Sequence, residues 1–310
     1  MKKGKYLITG CAGFIGSNLV KKLCKSCDLI LVDDLSGGSI LNLPKVLRKK
    51  LIKKKIQDIK KLRTKKLNGI FHLAAQSSVP KSLTNFYQSS SNNIKSSIKV
   101  FEIAKQFSVP VIYASSSAVY GNLPLGDDQK EKFSLTSPYA QDKLTMEHYA
   151  KMLFKIFKIS SIGLRLFNVY GPGQKYNSSY SAVIPIFINR MMKKRSIIIN
   201  GGYQTRDFIY VQDVINLMLM LMEKNKKQKD FQIFNVCTGR SIKIDFLYKL
   251  VQRSIGFNSK IIRRKLDDFD PKKSSGTNKK ILKYLNKKKY NFTKLENGLI
   301  GIINSFKTEN

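Results

Sequence analysis

The chain has 310 residues, 42% of them hydrophobic, which is enough apolar material for a buried core and excludes a disordered chain. Its 57 Lys+Arg against 20 Asp+Glu give a formal net charge of +37, yet the lysines are scattered through LRKKLIKKK, KNKKQK and LNKKK as on solvated faces, so nucleic acid is not expected as a partner. Cys24 and Cys27 form a lone C-x-x-C, with Cys11, Cys237, His72 and His148 as the other soft ligands, so no closed zinc site is expected; MKKGKYLITG shows no signal-peptide core and Val214 to Met222 is too short to span a bilayer, so a cytoplasmic protein without a membrane partner is expected.

The first expected element is a strand, Lys5 to Thr9 (KYLIT), followed at once by Gly10, Gly13 and Gly16 and then by the helical pattern SNLVKKLCK. Strand, glycine loop and helix open a dinucleotide-binding unit, because the glycines allow a tight turn, backbone approach to a pyrophosphate and close helix–strand packing. A second strand, DLILVDD, ends in Asp33, 17 positions beyond Gly16. A carboxylate there accepts hydrogen bonds from an adenosine ribose and repels a 2′-phosphate, so the expected cofactor is NAD rather than NADP; turn polarity alone would also place Asp33 and Asp34 after a buried strand. The run LRKKLIKKKIQDIKKL mixes an apolar period with lysines, and its Gln57-Asp58 either packs on an adenine or belongs to a solvated helix. A third strand, Gly69 to Leu73, leads into Ala74, Ala75 and Gln76, small enough at first to admit a cofactor, while His72 reads as a packed strand residue.

A long helix is expected from Thr84 to Phe107, with Asn93 on one face and Val100, Ile103, Ala104 and Phe107 toward the core. A fourth strand, Val109 to Ala114, ends at Ser115, Ser116 and Ser117. Downstream, Tyr139-x-x-x-Lys143 places a phenol and an ammonium one turn apart on a helix. The ammonium favours the phenolate and a nearby hydroxyl relays the proton, although a basic helix also carries YxxxK by chance. Convergence argues against chance: Gly10, Asp33, Ala75 and Ser116 all fall at strand ends, where open parallel sheets bind ligands. The expected fold is α/β, a Rossmann-type doubly wound parallel sheet with a smaller C-terminal substrate-binding lobe. Its division is 1–170, with 207–238 returning to it, against 171–206 and 239–310.

TGCAGFIG, VDDLSGG, FHLAAQ, SSSAVYG, SPYAQDK, LRLFNVYGP, QTRDFIYVQDV and FNVCTG follow one another in the order found in the extended short-chain dehydrogenase/reductase family. Over nearly its whole length the chain resembles the NAD-dependent epimerase/dehydratase group, and within it the UDP-glucose/UDP-N-acetylglucosamine 4-epimerases. The resemblance implies Ser116 as catalytic serine with Ser117 beside it, Tyr139 as base, and Lys143 as the residue that binds the nicotinamide ribose and lowers the tyrosine pKa. It implies cofactor contacts from Gly10, Gly13, Phe14, Ile15, Gly16, Asp33, Asp58, Ile59, Ala74, Ala75, Gln76, Asn93, Tyr139 and Lys143. It implies substrate contacts from Ser116, Ser117, Asn168, Ala182, Val183, Arg206 and Ser274. Members that eliminate water or decarboxylate carry an acidic residue near the serine motif; Ser117-Ala118-Val119 offers none, which leaves reversible oxidation at the sugar C4 as the whole chemistry. A dehydratase, decarboxylase or reductase of the same family is the alternative, and a non-catalytic NAD-binding protein a further one.

Within that resemblance Asn168 matches a residue that contacts the nucleotide diphosphate, where a loop-capping amide is the plainer reading, and Ala182 to Pro185 matches a nucleotide-base clamp. Arg206 matches a diphosphate-binding arginine, whose planar fork meets phosphate oxygens bidentately. One departure stands out: family members carry a second such arginine late in the chain, and the register of RRKLDDFDPKKSSGTN puts Asp267 in its place. Either Arg263 or Arg264 then substitutes, or Arg206 and the lysines act alone. The same register puts Ser274 at a gate that is small in members accepting N-acetylated sugars, which implies UDP-N-acetylglucosamine and UDP-N-acetylgalactosamine over UDP-glucose. A homodimer through the helices around 84–107 and 138–158 is also implied.

Overall fold

The computed structural model describes residues 3–176, 182–267 and 270–309. In chain order the strands are β1 (Lys5–Thr9), β2 (Asp28–Val32), β3 (Leu51–Ile52), β4 (Gly69–His72), β5 (Val111–Ser116), β6 (Ser161–Leu166), β7 (Asn168–Tyr170), β8 (Ile197–Asn200), β9 (Thr205–Tyr210), β10 (Phe231–Val236), β11 (Ser241–Lys243), β12 (Ile261–Arg264) and β13 (Lys273–Ser274). The helices are α1 (Phe14–Leu23), α2 (Lys45–Arg48), α3 (Val79–Thr84), α4 (Phe86–Phe107), α5 (Pro138–Phe157), α6 (Val183–Met192), α7 (Val211–Gln228), α8 (Ile244–Ile255), α9 (Lys279–Tyr284) and α10 (Leu295–Glu309). No helix among the described residues is long and apolar enough to cross a membrane.

The chain forms two compact units, 1–119 with 137–165 and 215–234, and 120–136 with 166–214 and 235–310. Compared with the ranges read from sequence, 120–136 and 166–170 fall in the second unit and the return to the first is confined to 215–234. The pairing explains the shift at 166–170: β7 is hydrogen-bonded to β9, Asn168 opposite Phe208 and Tyr170 opposite Tyr210, so the two strands belong to one body.

The first unit is built on a seven-stranded sheet in the order β10-β6-β5-β4-β1-β2-β3. The pairs β1–β2, β1–β4, β2–β3 and β4–β5 are parallel, as expected of crossover connections through helices. Central strands are apolar throughout rather than alternating: Tyr6, Leu7, Ile8, Ile70, Phe71, Val111, Ile112 and Tyr113 are fully buried, because both faces of such a sheet are covered. Thr9 pairs with both Val32 and His72, so β1, β2 and β4 end flush and place Gly10, Asp33 and Leu73 on one edge. The helix expected from Thr84 to Phe107 is α4, beginning two residues later, and a short helix, α3, precedes it. Ser78 caps α3 by accepting the Lys81 N–H at 3.2 Å, and Asn85 (φ −137°, ψ 63°) breaks the path before α4 begins. The helical period in LRKKLIKKKIQDIKKL resolves into α2, the edge strand β3 and a single tight turn at Ile56–Asp58, since Leu31 pairs with Leu51 and demands extended backbone there.

The second unit centres on β9, which pairs with β11 in antiparallel and with β7 and β13 in parallel fashion; β12 and β8 form a separate parallel pair. Helices α6, α8 and α10 supply its core through Ile184, Phe187, Ile188, Leu247, Val251 and Leu299. The expected closing amphipathic helix is α10, with Leu299, Ile302, Ile303 and Phe306 buried at helical spacing.

Candidate active site

Ser137 starts α5 by accepting the Ala140 N–H at 3.2 Å, and Pro138, at the first helical position, needs no donor there. Tyr139 and Lys143 thereby enter the first two turns of α5, and both are buried. The Tyr139 N–H donates to Ser82 Oγ at 3.3 Å, and its phenol hydrogen-bonds the Ser116 side chain at the end of β5. Ser116 Oγ in turn accepts the Ala118 N–H at 3.1 Å. Serine, tyrosine and lysine are thus brought together as the spacing implied.

The electrostatics differ from expectation. Lys143 Nζ donates to the Ala114 carbonyl at 2.7 Å, and burial pushes its pKa down to about 8, with Asp142 and Glu147 opposing that shift. Tyr139 is pushed up from its ordinary value, chiefly by burial; the Ser116 hydrogen bond pulls it down and Asp142 adds to the rise. The expected lowering of the tyrosine by Lys143 is therefore absent in this state, because the ammonium is engaged with a strand carbonyl and the low-dielectric setting penalises the phenolate.

A set of buried charges outside the sequence motifs supports these groups. Glu147, one turn beyond Lys143, accepts from Arg165 at 2.9 and 2.6 Å and from Ser115 Oγ at 2.5 Å. An arginine inside the apolar strand SIGLRLF was the available signal, since a buried guanidinium requires a partner. Asp142 accepts from Asn93 Nδ2 at 2.9 Å, and the same amide receives the Gln76 N–H at 2.8 Å and donates to the Gln76 carbonyl at 3.2 Å. Asn93, expected as a cofactor contact, has its amide committed to the loop after β4 and acts through that loop. Gln76 is itself tied to Ser78 and Ser89. His72 lies between Thr9 Oγ1 (2.7 Å) and Ser97 Oγ (3.3 Å), and burial brings its pKa to about 3, as suits a neutral packed residue.

The glycine loop meets the demands of a dinucleotide. Gly10 has φ +68°, and a Cβ there would lie 2.6 Å from Ala74 N, against the end of β4; a Cβ on Gly16 would lie 2.0 Å from Gly10 O. Gly13 offers no side chain to cap α1, so the first-turn N–H groups of Phe14 and Ile15 are left for an anion. Asp33, 7% exposed, accepts the Ala12 and Leu35 N–H groups at 2.8 Å each, one per oxygen, and the Gly13 N–H also favours its ionised form. Burial raises its pKa and those bonds offset the rise. Ala74 is half-buried and Ala75 exposed at the end of β4; Asp58 is exposed in the tight turn, with Ile59 buried beside it.

The second unit contains a cavity of about 510 Å³. Of the expected substrate residues, Asn168, Ala182, Val183 and Arg206 line it, whereas Ser274 does not; Ser274 is half-buried in β13, in register with Arg206. Arg206 donates to the Thr205 carbonyl at 2.8 Å and is paired with Asp270, and Asn168 Nδ2 donates to the Asp207 carbonyl at 3.0 Å. Neither Arg263 nor Arg264 lines the cavity, and Arg263 is held by Asp245 at 2.9 Å and by the Gly201 carbonyl at 3.1 Å. Asp267 is exposed outside it. Arg190, on α6, does line it and was not anticipated.

Comparison with known proteins agrees with this picture. A Methanocaldococcus jannaschii protein provisionally named UDP-glucose 4-epimerase is 35% identical over 83% of this chain and 84% of its own. The UDP-N-acetylglucosamine 4-epimerase from Methanobrevibacter ruminantium M1, solved in complex with UDP-N-acetylmuramic acid, superposes with a TM-score of 0.92 at 32% identity over the full length of both chains. The UDP-glucose 4-epimerase of Thermotoga maritima, solved with UDP-glucose, gives a TM-score of 0.88 at 29% identity over 98% of this chain and 99% of that one. The family model of the NAD dependent epimerase/dehydratases matches residues 6–237, and with the glycine loop, Asp33 and the Ser116–Tyr139–Lys143 cluster in place, the chain belongs to that family.

Proposed function

We propose that this protein interconverts the C4 epimers of a UDP-sugar, with the first unit as the NAD-binding domain and the second as the substrate lobe. The carrying observation is that Tyr139 faces Ser116 while the two carboxylates buried on the same helix are engaged elsewhere: Asp142 is held by Asn93, and Glu147 by Ser115 and Arg165. A single base suits a reaction that removes and returns one hydroxyl proton. When bound, NAD supplies the acceptor and later the donor of the C4 hydride. Ser116 orients the C4 hydroxyl and passes its proton to Tyr139, which holds it while the sugar is a 4-ketone and returns it after the ketone has turned over. Phe14 and Ile15 N–H groups would receive the pyrophosphate, Asp33 the ribose hydroxyls, and Arg206, Asn168, Ala182 and Val183 the nucleotide part of the substrate.

The family resemblance puts a small gate residue at Ser274, in register with Arg206, and on that ground N-acetylated sugars, UDP-N-acetylglucosamine and UDP-N-acetylgalactosamine, are proposed over UDP-glucose and UDP-galactose. Incubation of the purified protein with a UDP-sugar panel without added cofactor, followed by separation of C4 epimers, tests both points. Epimers of the N-acetylated pair are expected as the fastest product. Loss of water or CO₂, or net consumption of NADH, would overturn epimerisation, and faster turnover of UDP-glucose would overturn the sugar preference. A homodimer through α4 and α5 and a cytoplasmic location complete the proposal; exposed Phe86, Tyr87, Met152, Ile156 and Phe157 on those helices support the dimer.

A further inference from the structure

We infer that Arg190 binds the substrate diphosphate, the part that the family resemblance gives to a late arginine expected at the position of Asp267; the inference rests on the UDP-sugar reading above. The charged side chains among the described residues of the cavity wall are Arg190, Arg206 and Asp270. Arg206 is matched by Asp270 and also satisfies the Thr205 carbonyl, so this pair brings no net charge to a ligand. Arg190 faces no carboxylate among the described residues. Its Nε donates to the Ser196 carbonyl at 2.5 Å, which fixes the guanidinium plane and leaves the two Nη groups without a partner among the described residues. The remaining polar lining is neutral, from Asn168, Tyr170, Gln174, Asn200 and Gln204, and the rest is largely Ile, Val and Phe.

A diphosphate ionised at both phosphates needs a positive partner in such surroundings, and the uncompensated cation of this wall is Arg190. A fork held at Nε presents two parallel donors to phosphate oxygens, the geometry in which arginine surpasses lysine. In the sequence Arg190 reads as one more basic residue of FINRMMKKR near a helix end, where any cation complements the helix dipole. That plainer role would affect folding and the whole cavity alike, without regard to the phosphates.

The test titrates the full-length protein with UDP and, separately, with uridine, for wild type, Arg190→Gln and Arg190→Lys. Arg190→Gln should weaken UDP about 10- to 100-fold while uridine changes less than about twofold, and the KM of epimerisation should rise by the UDP factor with kcat within about twofold. Arg190→Lys should recover part of the loss, since it keeps the charge and not the fork; if the glutamine variant does not fold, the lysine variant alone should still weaken UDP more than uridine. UDP binding unchanged in either folded variant, or UDP and uridine weakened equally, overturns the inference. Failure of the wild type itself to bind UDP instead overturns the UDP-sugar reading, and the inference falls with it.

Discussion

Two arginine–carboxylate pairs set the units apart. In the first, the Arg165 and Glu147 side chains are 5% and 4% exposed and meet through two nitrogens, with Ser115 as a third member. In the second, Arg206 and Asp270 are 10% and 38% exposed and meet through one nitrogen on a cavity wall. The closed pair ties α5 to β5 and β6 and is sealed from solvent. The open pair lines a cavity and leaves Asp270 partly exposed. The same two chemical groups thus form a sealed tie in one unit and a reachable one in the other.

Glu147→Gln attacks the closed pair and carries the largest expected effect. It leaves Arg165 buried without its counter-charge and should cost about 3–5 kcal/mol, read from urea unfolding. A loss below about 1 kcal/mol would place this pair with the open one. Tyr139→Phe separates chemistry from recognition: kcat should fall about 10²- to 10⁴-fold while UDP affinity and unfolding stay near wild type. Unchanged turnover would remove Tyr139 from the mechanism.

The pH dependence of Lys143 is the next finer test. Its folded pKa of about 8 lies below the ordinary 10.5, so its ammonium is lost as pH rises through about 8, and kcat/KM should fall there. Between about 8 and 10.5 the unfolded chain binds the extra proton, so the stability contribution of this residue rises with pH across that window. Lys143→Arg should carry the alkaline limb to higher pH; a wild-type profile flat to about pH 9.5 would show that the charge is not needed. Asp270→Asn, the smallest change, should cost less than about 1 kcal/mol and leave UDP affinity equal or a few-fold tighter, as Arg206 is freed. A large stability loss would show that this pair is scaffold after all.

What the sequence made legible was local chemistry. Gly10, Gly16 and Asp33 could be placed because a turn, a strand end and a helix start fall within a few dozen residues, and Ser137-Pro138 marks the start of α5 in the same way. The features that escaped all depend on partners distant in the chain. Arg165 meets Glu147 across 18 residues and Arg206 meets Asp270 across 64, and Arg190 acquires meaning only from the wall it joins. Lys143 reads in sequence as a partner of Tyr139 and of a nicotinamide ribose, whereas the Ala114 carbonyl, 29 residues earlier, holds its ammonium.

A lysine in water carries a tightly held hydration shell, and stripping that shell is an ordinary part of the cost of engaging a ligand. Lys143 has already shed it: the residue is 5% exposed and its ammonium rests on the Ala114 carbonyl at 2.7 Å. A hydroxyl arriving at this helix face meets a donor that is dry, oriented and short of one partner exchange, with little solvent to reorganise. The desolvation has been met by the folding of α5 onto β5, and the affinity of this site is to that extent drawn from the stability of the sheet beneath it.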